Sequence, residues 1–297
     1  MTVGSRSSWW GPTTLRVMTI ALVAASLLCR DPTASAEDEA ASRDAKLAED
    51  FNDPLTTLPQ LFLQDAYTPE NHGTDAQTNK LIIRPIIPRI PRYSLLPFVQ
   101  LIRPAFSVVT VPTLNGNSTR TEFGDLQLFD LGVIPWPPMG SGLLMGVGPI
   151  FVFPSATDKT AGQGAWQVGP AFGTIYKGIP GILLGGLIQN PISFAYQSSK
   201  RKPVDTLFVQ PILVVHVWRG LYVKSADSTW TYGWRAHSAT IVPLSFGVGR
   251  VIVREGAPPL NFFVSGEWTA YRQFAPVAPQ TTVRFGMTVA FPEYRAW

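Results

Sequence analysis

From Leu58 to the end of the chain, apolar residues come in segments of about 10–16 residues separated by turn-formers, with no helical period between them. Within the segments the side chains alternate. In the last one, Thr281, Val283, Phe285, Met287, Val289 and Phe291 share one face, and Thr282, Arg284, Gly286, Thr288 and Ala290 share the other. Over 165–176, Trp166, Val168, Pro170 and Phe172 oppose Gln167, Gly169, Ala171 and Gly173. Over 239–253, Val242, Leu244, Phe246 and Val248 oppose Ser245, Gly247 and Gly249. One face is large and apolar, and the other is small or polar. The pattern predicts an all-β chain of twelve strands, at 58–67, 79–88, 95–111, 124–134, 143–154, 165–176, 181–196, 206–218, 221–232, 239–253, 260–271 and 280–292. Longer polar connections, such as Ser155–Gly164, alternate with shorter ones, such as Arg219-Gly220.

A soluble sandwich would bury the large face. A transmembrane barrel would turn it to lipid and keep the small face for a lumen. The Trp and Tyr residues of this region fall near the expected strand ends, while Val, Leu and Ile hold the middles. Rings that are apolar with a polar edge collect at headgroup depth, whereas a sandwich core would draw some to its centre. The expected architecture is therefore an antiparallel transmembrane β-barrel of about twelve strands. Closure pairs every backbone group that hydrocarbon cannot solvate, and an even strand count lets both ends of the sheet meet on one side.

Charge and composition fit that picture. Charged residues make up 15% of the chain, against the roughly 25% of soluble domains. Residues 1–36 read as an export signal: Arg6 and Arg16, then the apolar stretch Val17–Leu28, then Ala34-Ser35-Ala36. That stretch is too short to span a bilayer. Cys29, the only cysteine, lies inside it, so no disulfide or thiolate metal site is expected beyond it. Removing three basic residues and one acid with the signal lowers the formal charge from +4 to +2, too small a bias to argue for nucleic acid. The expected divisions are a signal at 1–36, a periplasmic N-terminal segment at 37–57 (a short helix or a loose lead-in) and a barrel at 58–297.

GVGPIFVFPSATDKTAGQGAWQVGPAFG, residues 146–173, has the look of a phosphate cradle. A cradle needs its glycines between a strand and a helix N-terminus. Here Gly148 runs into Pro149 and then IFVF, which continues a strand. The stretch reads instead as two antiparallel strands, each carrying Val-Gly-Pro, joined by the external loop SATDKTAGQG.

Taken in order, DPLTTLPQLFLQDAYTP, IIRPIIP, FGDLQLFDL, GVGPIFVFPSATD, GQGAWQVGPAFG, VQPILV and VPLSFGVGRV resemble the bacterial outer-membrane proteins labelled neuromedin U-like, which are grouped with transporters linked to phenol meta-cleavage pathways. The resemblance runs over about residues 53–292. It implies an outer-membrane barrel passing small compounds, aromatic ones among them. Members of such barrels commonly end on a strand-terminal aromatic read by the barrel assembly machinery. Here Trp297 is terminal, but Glu293 and Arg295 interrupt the alternation, so the final strand is expected to end near Pro292.

Seven expected strands carry a proline near the middle: Pro85, Pro104, Pro149, Pro170, Pro191, Pro211 and Pro243. Proline removes a ladder donor, so these are either bulges shaping a lumen or signs of misplaced strands. The preceding residues Arg84, Arg103, Gly148, Gly169, Asn190 and Gln210 then face inward as pore-lining candidates. Gln167, Gln189, His216, Asp227, Glu267 and Arg284 join them, because a charge at bilayer depth must meet water or a partner. A bracing ion-pair network is as good a reading of these charges as a solute site. No enzyme is expected: His237-Ser238 are neighbours whose side chains on a strand would diverge, and no third catalytic group is identifiable. No metal-ligand spacing and no cofactor motif is present. Two functions remain, a channel for small solutes in outer-membrane lipid and a structural or adhesive barrel with a plugged lumen.

Overall fold

A computed structural model of the chain describes residues 43, 46–74, 76–89, 98–112, 119–135, 142–225, 227–235, 237–254, 256–275 and 277–294. The export signal expected at 1–36, the start of the 95–111 strand and Trp297 lie outside these residues. The wall is built from β1 (Gln60–His72), β2 (Thr78–Arg89), β3 (Val99–Pro112), β4 (Thr119–Phe123), β5 (Leu126–Pro135), β6 (Leu143–Phe153), β7 (Ala165–Ile179), β8 (Ile182–Gln189), β9 (Ile192–Tyr196), β10 (Thr206–Trp218), β11 (Leu221–Ser225), β12 (Trp230–Gly233), β13 (Ala239–Ile252), β14 (Leu260–Gln273) and β15 (Ala278–Ala290). All pairings are antiparallel between chain neighbours, and β15 pairs with β1 to close the sheet. β4 with β5, β8 with β9, and β11 with β12 are single strands interrupted by irregular backbone, so the closed barrel has twelve strands.

Several strands run past the expected ends. β1 reaches His72, β14 reaches Gln273, and Thr119–Phe123, read as loop, extends the hairpin with β3. These extensions are polar on both faces, as at Thr110 and Thr121, whose hydroxyls lie 2.9 Å apart. Such a strand leaves no alternation to read. The last strand stops at Ala290, two residues short of the expected end, and a 3-10 turn at Pro292–Tyr294 follows.

Six of the seven prolines lie within strands, and Pro191 sits in the gap between β8 and β9. Pro243 marks a register shift between β13 and β14. Pro149 and Pro170 stand directly opposite each other. The register is interrupted beside each, at Asp130 in β5 and at Asn190 after β8, so the missing N–H costs no ladder bond. The glycine before each proline has its own reason. A methyl on Gly148 would overlap the Asp130 carbonyl oxygen, and one on Gly169 the Asn190 carbonyl oxygen. The repeated Val-Gly-Pro is thus a place where two backbones approach closely.

Outside, Val147, Phe172, Ile188, Leu213, Phe246 and Phe285 are exposed, with Trp166, Tyr176, Tyr196, Trp218, Trp268 and Tyr271 toward strand ends. An apolar surface this continuous does not stay in water. It is the lipid face of a membrane-embedded barrel. Tyr222 departs from the belt: it is fully buried inside, where its hydroxyl donates to Asn261 Oδ1 at 2.8 Å. On one rim the Arg219-Gly220 turn has φ of 40° and 75°. On the other, the Ser155–Gly164 loop folds on Asp125, in the bend between β4 and β5. Backbone N–H groups of Ala156 and Gln163 donate to the Asp125 carboxylate at 3.2 and 2.7 Å. The anion this loop holds belongs to the chain itself.

Candidate functional site: the lumen

The inward face carries two cavities that share lining residues and, packed against it, a segment from before β1. Residues 46–52 are helical, and the chain from Asp53 to Pro59 leads into β1. Helix and wall belong to one compact unit. Residues 46–57 of the segment expected at 37–57, together with Leu58, pack against the inner wall. Ala48, Phe51, Leu55 and Leu58 join a core with Leu101, Leu131, Ile175 and Leu183. Leu55 fits against Gly146 and Gly173, which are register partners on β6 and β7, and a methyl on Gly146 would meet its side chain. The large-to-small alternation of those strands thus makes a socket for a leucine.

Charge fixes the segment as well. Lys177 Nζ lies 2.7 Å from Asp53 Oδ2 and 3.7 Å from Asp50 Oδ1. The Asp53 contact is an ion pair and not an aligned hydrogen bond. Asp53 Oδ1 accepts from the Leu55 backbone N–H at 2.7 Å, which closes the turn after the helix. Arg103 donates to the Pro54 carbonyl at 3.1 Å. His216 Nδ1 stands 4.0 Å from Glu49 and 3.2 Å from the Gly181 carbonyl.

Above the segment lies a cavity of about 250 Å³, bounded by Phe51–Pro54 below and by Lys80, Arg84, Arg103, Lys224, Asp227 and Arg284 on the wall. A second, of about 190 Å³, shares Lys80, Ile82 and Arg84 with it and reaches Gly162 and Gln163 of the external loop. Together they follow the barrel interior from that loop to the helix. Around them run two ion pairs, Lys224 with Asp227 at 2.9 Å and Arg284 with Glu267 at 2.8 Å. Lys224 also sits 3.2 Å over the Phe263 ring, and Arg84 stacks 5.2 Å from the Phe62 ring.

All seven sequence candidates point inward. Arg84, Arg103, Gln210 and Arg284 line the larger cavity, and Gln167 lines the smaller, donating to Gln163 at 2.5 Å. Glu267 is held by Arg284. Gln189 is in register with Phe208 and Ala171, apart from both cavities. Of the others, Asp227 lines the larger cavity, His216 meets the helix, and Asn190 is taken by Asp205 and Trp234 at the rim. His237 and Ser238 are not on a strand. Both occupy a turn at positive φ, and the Ser238 hydroxyl accepts from Tyr232. Lys80, Phe62 and Lys224 were not singled out. Their signal was available in part, since Lys80, Ile82, Arg84 and Ile86 alternate onto one face of β2. The role of residues 46–58 left a fainter trace, three leucines and a phenylalanine in a polar stretch.

No protein-family model and no curated protein matches the chain. Among solved structures it is similar to "NanC porin structure in rhombohedral crystal form", at 10% identity and a TM-score of 0.48, covering 78% of this chain and 98% of that one. It is similar also to "KdgM porin", at 9% identity and a TM-score of 0.41, covering 78% of this chain and 99% of that one. "KdgM porin in complex with disordered oligogalacturonate" matches equally, at 9% and 0.41 over the same shares. At such identities the likeness is one of fold alone, to porin barrels matched over nearly their whole length.

Proposed function

We propose that the protein is an outer-membrane channel for small solutes whose periplasmic mouth is closed by its own residues 46–58. The observation that carries this is the pair of interior cavities that share Lys80, Ile82 and Arg84, one reaching the external loop and the other bounded by Phe51–Pro54. A barrel meant solely as a scaffold has no need of polar-lined cavities in its interior. Lumen rings support passage of solutes with an apolar or aromatic body: Phe62 stacks on Phe263 at 6.0 Å, beside Ile82 and Ile86. The resemblance to neuromedin U-like barrels points the same way. A second reading, a structural barrel with a permanently filled lumen, draws on the Asp53–Lys177 pair and the buried leucines. Planar-bilayer recordings on the purified full chain separate the two. A channel gives discrete conductance steps, and a scaffold gives none. The expected placement of the first 36 residues as a signal, with Glu37 as the mature N-terminus, belongs to this same reading and is checked by N-terminal sequencing of the exported chain.

A further inference from the structure

The lumen's acids are already engaged. Asp53 faces Lys177, Glu267 faces Arg284, and both oxygens of Asp227 are occupied, one by Lys224 and the other by Lys224 and Ser265. Lys80 and Arg84 are different. Among the described residues neither has a hydrogen bond or an ion pair, although both face the junction of the two cavities. Arg103, nearly fully buried, spends one nitrogen on Pro54 and leaves Nε with no partner. One buried Arg284 nitrogen is likewise unpartnered.

The strands place these cations together. Lys80 and Arg84 flank Ile82 on the inner face of β2, successive inward positions standing about 6.6 Å apart. Ala66 is the register partner of Lys80 on one side and of Arg284 on the other, so a methyl is all that lies between them. Phe62 is the partner of Arg84. Cations that line a cavity with no wall carboxylate bonded to them are met by water, and an anion that displaces that water gains charge-assisted hydrogen bonds there. A guanidinium matches a planar carboxylate with two parallel donors. Phe62, Ile82, Ile86 and Ile212 give the larger cavity an apolar side, among the polar side chains of Gln60, Gln64, Gln210 and Thr229.

We propose that this junction is a binding site for a small organic carboxylate, its head between Lys80 and Arg84 and its apolar body against Phe62, Ile82 and Ile86. The proposal rests on the channel reading in naming a solute class, but binding is measured separately from conduction. The full chain in lipid nanodiscs is titrated calorimetrically with benzoate, with its uncharged isostere benzamide and with inorganic phosphate. Benzoate should bind saturably at one site, and benzamide and phosphate at least about tenfold more weakly, as loss of a charged hydrogen bond or of the apolar contact predicts. Lys80→Met and Arg84→Met, checked for barrel formation by circular dichroism, should each weaken benzoate about tenfold or more. Equal binding of benzoate and benzamide, equal binding of phosphate, or no saturable benzoate signal overturns the site, and none of these needs a variant. Benzoate binding without conductance refutes the channel and leaves the site standing. Conductance without benzoate binding does the reverse.

Discussion

Replacing Lys177 by methionine keeps most of the side chain's length and apolar stem but removes the charge that faces Asp53. The Asp53 side chain is 1% exposed and that of Lys177 21% exposed. Removing one partner of a buried pair costs about 3–5 kcal/mol, because the other charge is left without compensation. The low end applies here, since a fifth of Lys177 still meets solvent. The barrel wall does not bear that cost. Residues 46–58 can escape it by leaving the wall and hydrating Asp53, so the equilibrium between docked and released segment should shift by roughly 10²-fold. Hydrogen exchange of the full chain reads this directly. Amides of residues 46–58 should exchange roughly 10²-fold faster in Lys177→Met, with the sheet unchanged, and Lys177→Arg should restore most of the protection. Unchanged exchange in Lys177→Met would show that the ion pair does not hold the segment and that Leu55 and its socket suffice.

Two substitutions test the faces of the wall. Gly286 is the register partner of Phe263, whose ring lies where a side chain on Gly286 would go; Gly286→Ala should therefore destabilise the barrel by about 1–3 kcal/mol in urea unfolding, the cost of overpacking, and a neutral effect would mean that the ring moves freely. Gly266, midway along β14, points to lipid with open space beside it; Gly266→Arg should cost about 2–4 kcal/mol of folding into bilayers while Gly266→Leu is tolerated, and equal tolerance of both would place this face away from hydrocarbon.

Much of the wall could be read from the chain because lipid enforces the alternation. Trp166, Val168, Pro170 and Phe172 are apolar at every second position, since a one-residue slip would put Gln167 into hydrocarbon. Where water lies on both sides that constraint lapses, which is why Thr119–Phe123 looked like loop. The interior was legible in sign and not in detail. Arg84 and Arg103 stood out beside their prolines, whereas the pairing of Gly286 with Phe263 and of Gly249 with Tyr222 depends on cross-strand register, which a single strand does not reveal. Gly286 looks like an open inward position in sequence, and the structure fills it with a ring. The closing segment was hidden for a similar reason. Its sockets, Gly146 and Gly173, lie about a hundred residues downstream and read locally as ordinary small-face glycines.

Conduction across a planar bilayer is the most direct test of the account, with full-length protein and Lys177→Met recorded side by side. The account predicts brief, infrequent steps for the full-length protein and the same unit conductance with a much higher open fraction for the variant, because the lumen is unaltered and the closing segment is released. Silence from both proteins, in preparations shown to be folded and inserted, would contradict it and leave a barrel whose interior is structural.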